Sequence, residues 1–459
     1  MRTLAVGCGV VALAATLPVR SVHGQSAAVL YEGARLISGT GSAPIEQSAF
    51  LVERGAIIGV GRQGAVAAPA GASRVDLTGK TVMPVLINAH GHPGFQKGLT
   101  YVQENFTRET VIDDLNRALY YGVAVVQSQG IEKGDVTYQI RADQQAGKLG
   151  GARLLIAGRG IGAPNAGPGA AAYAGIAYEI TTEAEARQAV QELAAKKVDL
   201  IKIWVDDRVG RAPRLAPNLY RAVIAEGHSR GLHVNAHVYY YTDAADLANA
   251  GIDAFAHLVR DKEMDDALVA SVVRHNVYVM PNLSGEWNTY AELPHWLKEG
   301  DPLTTLLLQS TPQPVIERMR KDYQGRSPAA VERSRTQHAI LERSLARLAR
   351  ANARIILGSD TGLQDHLFGM AEQRELESMV KAGMTPMQVI VAATSRPAEY
   401  LKLTTMGSLE AGKEASFLVL DANPLDNITN TQRLSKIYIK GTEVDRAALR
   451  PALTHVATN

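Results

Sequence analysis

Cysteine is all but missing: among 459 residues only Cys8 carries a thiol. It lies in an N-terminal stretch that reads as a signal peptide over residues 1–24. Arg2 is the positive start, Leu4 to Leu17 the apolar core, and Val22-x-Gly24 the small residues before a cleavage site. Cleavage after Gly24 leaves no thiol, which excludes disulfides, thiolate metal sites and a cysteine nucleophile together. Aromatic residues are scarce at 5%, against a stacking platform for bases. Neither charge sign dominates, with 48 Lys and Arg against 46 Asp and Glu and no basic run, so nucleic acid is not an expected partner. The apolar run of the leader is too short for a stable membrane anchor, and no second long run follows. The expectation is a secreted or periplasmic protein.

What is abundant is apolar material, 46% of the chain, enough for a large core and too much for disorder. Residues 25–83 read as short strands separated by Gly and Pro, and residues 405–459 have the same texture in GSLEAGKEASFLVLDANPL and LSKIYIKGTEV. This predicts one small β-sandwich built from both chain ends. Between them, over 84–404, strands alternate with amphipathic helices such as EAEARQAVQELAAKKV. The candidate strands are VMPVLINAHGH, GVAVVQSQG, ARLLIAGRG, VDLIKIWV, LHVNAHV, DAFAHL, VYVMPNL and ARIILGSD. Eight such units make an α/β fold of the (β/α)8 TIM-barrel type the most economical solution. The connection 284–333 is unusually long and holds Trp287, Pro294 and Trp296, which suits either a lid over the site or extra surface helices.

Barrel enzymes carry their reactive groups at the C-terminal ends of the strands. Here strand one ends in His90-Gly91-His92, two imidazoles on one side of a strand. Strand four carries Lys202 inside an apolar run, strands five and six end at His237 and His257, and strand eight ends at Asp360. A lone histidine at a strand end is usually a satisfied polar residue, and Asp360 alone could cap a helix. Lys202 alone could snorkel outward. All these readings would have to hold at once on five strand ends, and a lysine inside a strand covered on both faces is costly unless something neutralises it. The set therefore reads as a metal centre of nitrogen and oxygen ligands.

This ordered set resembles the metal-dependent amidohydrolase superfamily. GMTPMQVIVAATSRPAEYL followed by GSLEAGKEASFLVLDANPL resembles the return of such enzymes into their β-sandwich. The nearest shape is the imidazolonepropionase-like and exported prolidase-like (Xaa-Pro dipeptidase) branch. The resemblance implies that His90, His92 and Asp360 hold one divalent ion and His237 and His257 a second. It also implies that Lys202, carboxylated by CO2, bridges both; the new carboxylate removes the buried ammonium. Zinc is the default metal for such ligands. Water activated between the ions becomes the nucleophile, and Asp360 is the catalytic residue, taking its proton and delivering it to the leaving amine. The implied substrate is a small amide or peptide, such as an Xaa-Pro dipeptide or an N-acyl amino acid. A phosphotriesterase or lactonase is the alternative, and a cyclic amidine deaminase a more distant one. Such enzymes often form homo-oligomers.

Three positions depart from the pattern: Asn88 where an aspartate is usual, Gln127-Ser128-Gln129 where an Arg-Asp pair is common, and Gln373 in place of a frequent histidine. Tyr239, Arg159, Arg260 and His366 are further candidates for substrate contact, the arginines because a guanidinium grips a carboxylate with two bonds. Two motifs are decoys. Gly227-His228-Ser229-Arg230-Gly231 fits a nucleophile elbow, but a helix precedes it and a strand follows, the reverse of what the elbow needs. GRGIGAPNAGPG after strand three lacks dinucleotide-binding spacing and reads as an active-site loop.

Overall fold

The computed structural model describes residues 28–169, 171–285 and 300–454. Eight strands run Leu86–Gly91, Val123–Ser128, Arg153–Leu155, Leu200–Trp204, His233–His237, Ala254–Ala256, Tyr278–Met280 and Arg354–Ile355. The first three pair in parallel in one sheet and the last five in a second, which also takes in the short strands Ile161–Gly162 and Tyr178–Glu179. Backbone hydrogen bonds join the two sheets at both seams. Asp199 N donates to Ile156 O at 2.7 Å between strands three and four, and Ala89 N to Leu357 O at 2.8 Å between strands eight and one. The TIM-barrel fold expected from the eightfold alternation is the one observed.

The strands are apolar because both faces are covered: all six residues of Val123–Ser128 are buried. The helices show the complementary pattern. Glu183–Ala195 buries Ala186, Ala189, Val190 and Leu193, spaced to fall on one face, and starts at a capping box of Thr182 and Glu185. Ser229 ends the helix Pro217–Ser229 and donates to Glu226 O, four residues ahead of strand five, so the elbow motif plays no catalytic part.

Among the described residues two larger sheets lie outside the barrel. One is four-stranded, ordered Ala56–Arg62, Ser48–Glu53, Val29–Glu32, Ser73–Asp76; the other has five strands and pairs Thr81–Pro84 antiparallel with Phe417–Leu420. Residues from both chain ends thus share one sheet. Tyr31, Phe50, Phe417 and Tyr438 fill the space between the sheets, with Tyr31 and Phe50 stacked at 4.8 Å and Phe417 and Tyr438 at 4.5 Å.

The signal-peptide segment, and Trp287, Pro294 and Trp296 of the long connection, lie outside the described residues. The described part of that connection is helical: Pro302–Ser310, Gln313–Gln324 and the start of Pro328–Arg350. The first two of these helices pack Leu303, Leu307 and Ile316 against Tyr120 and Tyr121. Among the described residues no helix is long and apolar enough to cross a membrane.

Candidate metal centre

Strand one delivers Asn88, His90 and His92 to one side of the barrel mouth, and the turn after strand eight delivers Asp360 beside them. His90 Nε2 lies 3.1 Å and His92 Nε2 2.9 Å from Asp360 Oδ1, and the two Nε2 atoms are 3.2 Å apart. His257 Nε2 stands 3.9 Å from Asp360 Oδ2. One ligand atom from each of His90, His257 and Asp360 falls within 4.8 Å of the others, the spacing at which side chains share an ion. His237 joins from strand five, its ring centroid 4.4 Å from that of His257.

The backbone here is strained. His257, Asn282 and Asp360 have φ of +92°, +54° and +56°, a region non-glycine residues seldom occupy. Such strain costs on the order of 1–3 kcal/mol per residue and collects at functional sites.

Lys202 is buried on strand four, and its Nζ has no hydrogen-bond partner among the described residues. Burial pushes its ammonium down to about 7, partly offset by Asp360. A lysine near neutrality is half-way to the free amine that carbon dioxide attacks. Gly130 clears room for its stem: at φ +90° a Cβ there would meet Lys202 Cγ at 2.8 Å. Burial also drives His90 down to about 3, with the Lys202 charge adding to it, and takes His237 and His257 well below the usual histidine range. Burial alone would raise Asp360, but His90, His257 and His92 hold it well below the carboxylate range. Burial thus favours the neutral imidazole at His90, His237 and His257, and Asp360 is held ionised, the protonation states that bind cations.

Neighbouring residues hold these groups in place. Asn282 at the end of strand seven, with its amide oxygen toward His90, accepts from His90 Nδ1 and from Asp360 N, each at 3.0 Å, while its nitrogen donates to Met280 O. That bond places the proton on Nδ1 and leaves Nε2 of His90 as the free donor atom. Asn88 Oδ1 accepts from His90 N at 2.9 Å. Asp206, two residues past strand four, is buried with Oδ1 3.7 Å from His237 Nε2. Tyr173 brings an aromatic wall to the other flank, its ring 6.3 Å from that of His92 and 4.8 Å from Phe95.

The four substrate candidates are placed differently. Arg260 lies close enough to His237, His257 and Lys202 for its charge to lower all three, with Tyr239 beneath its guanidinium at 5.7 Å. Arg159 is turned to its own loop: Nε donates to Ile176 O and Nη2 to Ala177 O, and the group stacks 4.0 Å over Tyr178. His366 is buried and hydrogen-bonded through Nε2 to Ser359 O at 2.8 Å, bracing the turn that carries Asp360. Of the departures, Gln373 pairs with Thr431 and Tyr121 O, away from the cluster.

Asn282 and Asp206 escaped the sequence reading although the strand-end rule pointed at both. Tyr173 gave no local signal.

A model of the amidohydrolase family matches residues 81–444. A candidate prolidase of Bifidobacterium longum superposes at TM-score 0.72 with 26% identity, over 94% of this chain and 98% of its own. Molinate hydrolase (TM-score 0.73, 20% identity, 95% and 98% covered) and a Xaa-Pro dipeptidase with bound methionine (0.71, 20%, 91% and 100%) share the fold. An uncharacterized protein of Mycobacterium tuberculosis is 27% identical over 218 residues, 47% of this chain and 53% of that protein. The chain spans about half the length of the curated relatives it matches.

Proposed function

Because the chain belongs to the amidohydrolase family, we propose that it is a metal-dependent hydrolase of a C–N bond in a small amide or peptide. The observation that carries this reading is the convergence of His90, His92, His257 and Asp360 donor atoms at 2.9–3.9 Å around one buried point. The donor set fits a divalent cation: neutral nitrogens, an ionised oxygen and a tautomer fixed from behind by Asn282.

In this reading His90, His92 and Asp360 would hold one ion and His237 and His257 a second, with Lys202, once carboxylated, as a further oxygen ligand. The orphaned Nζ of Lys202 supports that role, since carboxylation exchanges an unpaired buried ammonium for a ligand. When bound there, a divalent ion, zinc by ligand type, would supply Lewis-acid chemistry toward a carbonyl and lower the pKa of water. Asp360, held ionised, accepts the proton released by the attacking water and passes it to the departing amine nitrogen. His366 and Asn282 keep that carboxylate in place. The positive charge of Arg260 beside His237 and His257 suits the carboxylate of a dipeptide or an N-acyl amino acid. Export rests on the Arg2–Gly24 leader pattern.

The test is hydrolysis by the zinc-loaded protein with Asp360→Asn as the blank. One arm follows amine release from Xaa-Pro dipeptides and N-acyl amino acids, the other phenol release from phosphotriesters and aryl esters. Amine release that disappears in the variant supports the amide hydrolase. Activity confined to the second arm replaces it with a phosphotriesterase or lactonase.

A further inference from the structure

The helix Met370–Lys381, which follows strand eight, buries Glu372 completely. A carboxylate in such a place needs several donors. It has them. Asn88 Nδ2 donates to Glu372 Oε1 at 2.5 Å, and Gly369 N donates to Oε2 at 2.6 Å. Asn88 also donates to Ser359 Oγ at 3.1 Å, and the Ser359 hydroxyl in turn bonds Glu372. The remaining atom of the Asn88 amide, Oδ1, accepts from His90 N at 2.9 Å.

These bonds have a direction. Glu372 pulls on Asn88, Asn88 fixes the backbone of His90, and Ser359 is the residue before Asp360. One buried carboxylate–amide pair therefore spans the seam at which strand eight meets strand one. The two ligand atoms that seam must register, His90 Nε2 and Asp360 Oδ1, lie 3.1 Å apart.

We propose that Asn88 and Glu372 are positioning residues which jointly set the spacing of His90 and Asp360, and through it the cation affinity of the site. This rests on reading the cluster as a metal centre. Neither residue touches the cation; they act through the backbone of His90 and through Ser359.

The atom inventory gives a sharp test. In Glu372→Gln an amide faces the Asn88 amide and the Gly369 N–H with only one acceptor between them. In Asn88→Asp two carboxylates face each other. In the double variant Asn88→Asp/Glu372→Gln the bond between the two side chains returns with donor and acceptor exchanged, and the backbone donors keep their acceptors. The introduced aspartate accepts from His90 N and from the glutamine N–H, the glutamine oxygen accepts from Gly369 N, and Ser359 donates to the aspartate. The pair keeps one carboxyl group and one amide.

The measurement is zinc affinity of the full chain by competition with a chromophoric chelator, with thermal unfolding of each variant alongside. Each single variant binds zinc about 10–100-fold more weakly, and the double variant binds within about threefold of the parent. Single variants that lose thermal stability but keep zinc affinity would make the pair merely structural and overturn the proposal. A double variant whose loss is the product of the single losses overturns it as well. A parent that binds no zinc fails earlier and sinks the metal reading itself, a result separable from the other two.

Discussion

Asn282 and His90 are bound to each other across the barrel mouth: with its oxygen turned to the imidazole, the Asn282 amide takes the Nδ1 proton at 3.0 Å and the Asp360 backbone proton at the same distance. One side chain thus sets the tautomer of one ligand and the backbone position of another, at a φ of +54° that costs conformational energy to maintain.

Replacing it with leucine keeps the branched outline, at somewhat greater bulk, and removes both acceptances. Asn282→Leu should weaken metal affinity about 10–100-fold and cost roughly 1–3 kcal/mol through the unpaired groups it leaves. Metal competition and denaturant unfolding read the two effects separately. Unchanged affinity would show that the tautomer is held by something else.

Gly130 tests the lysine. Its φ of +90°, and the 2.8 Å that would separate a methyl group there from Lys202 Cγ, leave alanine no place unless the lysine stem moves. Gly130→Ala should cost roughly 1–3 kcal/mol in backbone strain and lower the number of ions bound per chain. Elemental analysis after dialysis checks the second expectation, and thermal unfolding the first.

Glu375 supplies a pH dependence. It is fully buried and accepts from Leu283 N at 3.0 Å and Ser284 N at 2.6 Å, and burial still raises it to about 7. Its folded value lies above its unfolded value near 4.5, so the folded state holds the extra proton between these limits. Stability from this group is full at low pH and declines as pH climbs from about 4.5 to 7. Glu375→Gln, neutral throughout, should gain on the parent across that window, up to roughly 3 kcal/mol by pH 8. Unfolding of both proteins from pH 4.5 to 8 measures the difference, and a pH-independent gap would refute the assignment.

Arg159 separates loop-building from substrate binding. Its bonds to Ile176 O and Ala177 O tie down the glycine-rich segment after strand three. Arg159→Met should speed amide hydrogen exchange over residues 171–177 and raise KM with kcat nearly unchanged. If exchange stays slow while KM rises for carboxylate-bearing substrates alone, the guanidinium meets the substrate instead.

The barrel was legible in the chain because its strands and helices are local patterns with different periods, and eight of each in alternation admit few arrangements. Five strand ends could be read in the same way, since parallel strands place their C-terminal residues at one mouth whatever the details of packing. That His90, His92, His257 and Asp360 share a neighbourhood follows from strand order and needs no coordinates.

Other features required the folded chain. Arg159 at the end of strand three satisfied the same rule as the histidines, yet its long side chain turns to two carbonyls of its own loop, and no period or spacing encodes that choice. Glu372 looks in the sequence like any acidic residue in the first turn of a helix, where the helix dipole suits it. Only the closing of strand eight against strand one buries it and brings it to Asn88, 284 residues away along the chain. Local pattern settles which elements form and which strand ends meet, because periodicity and strand order act without regard to distant partners. Packing in three dimensions settles which polar groups lose water together, and hence which of them must bind one another.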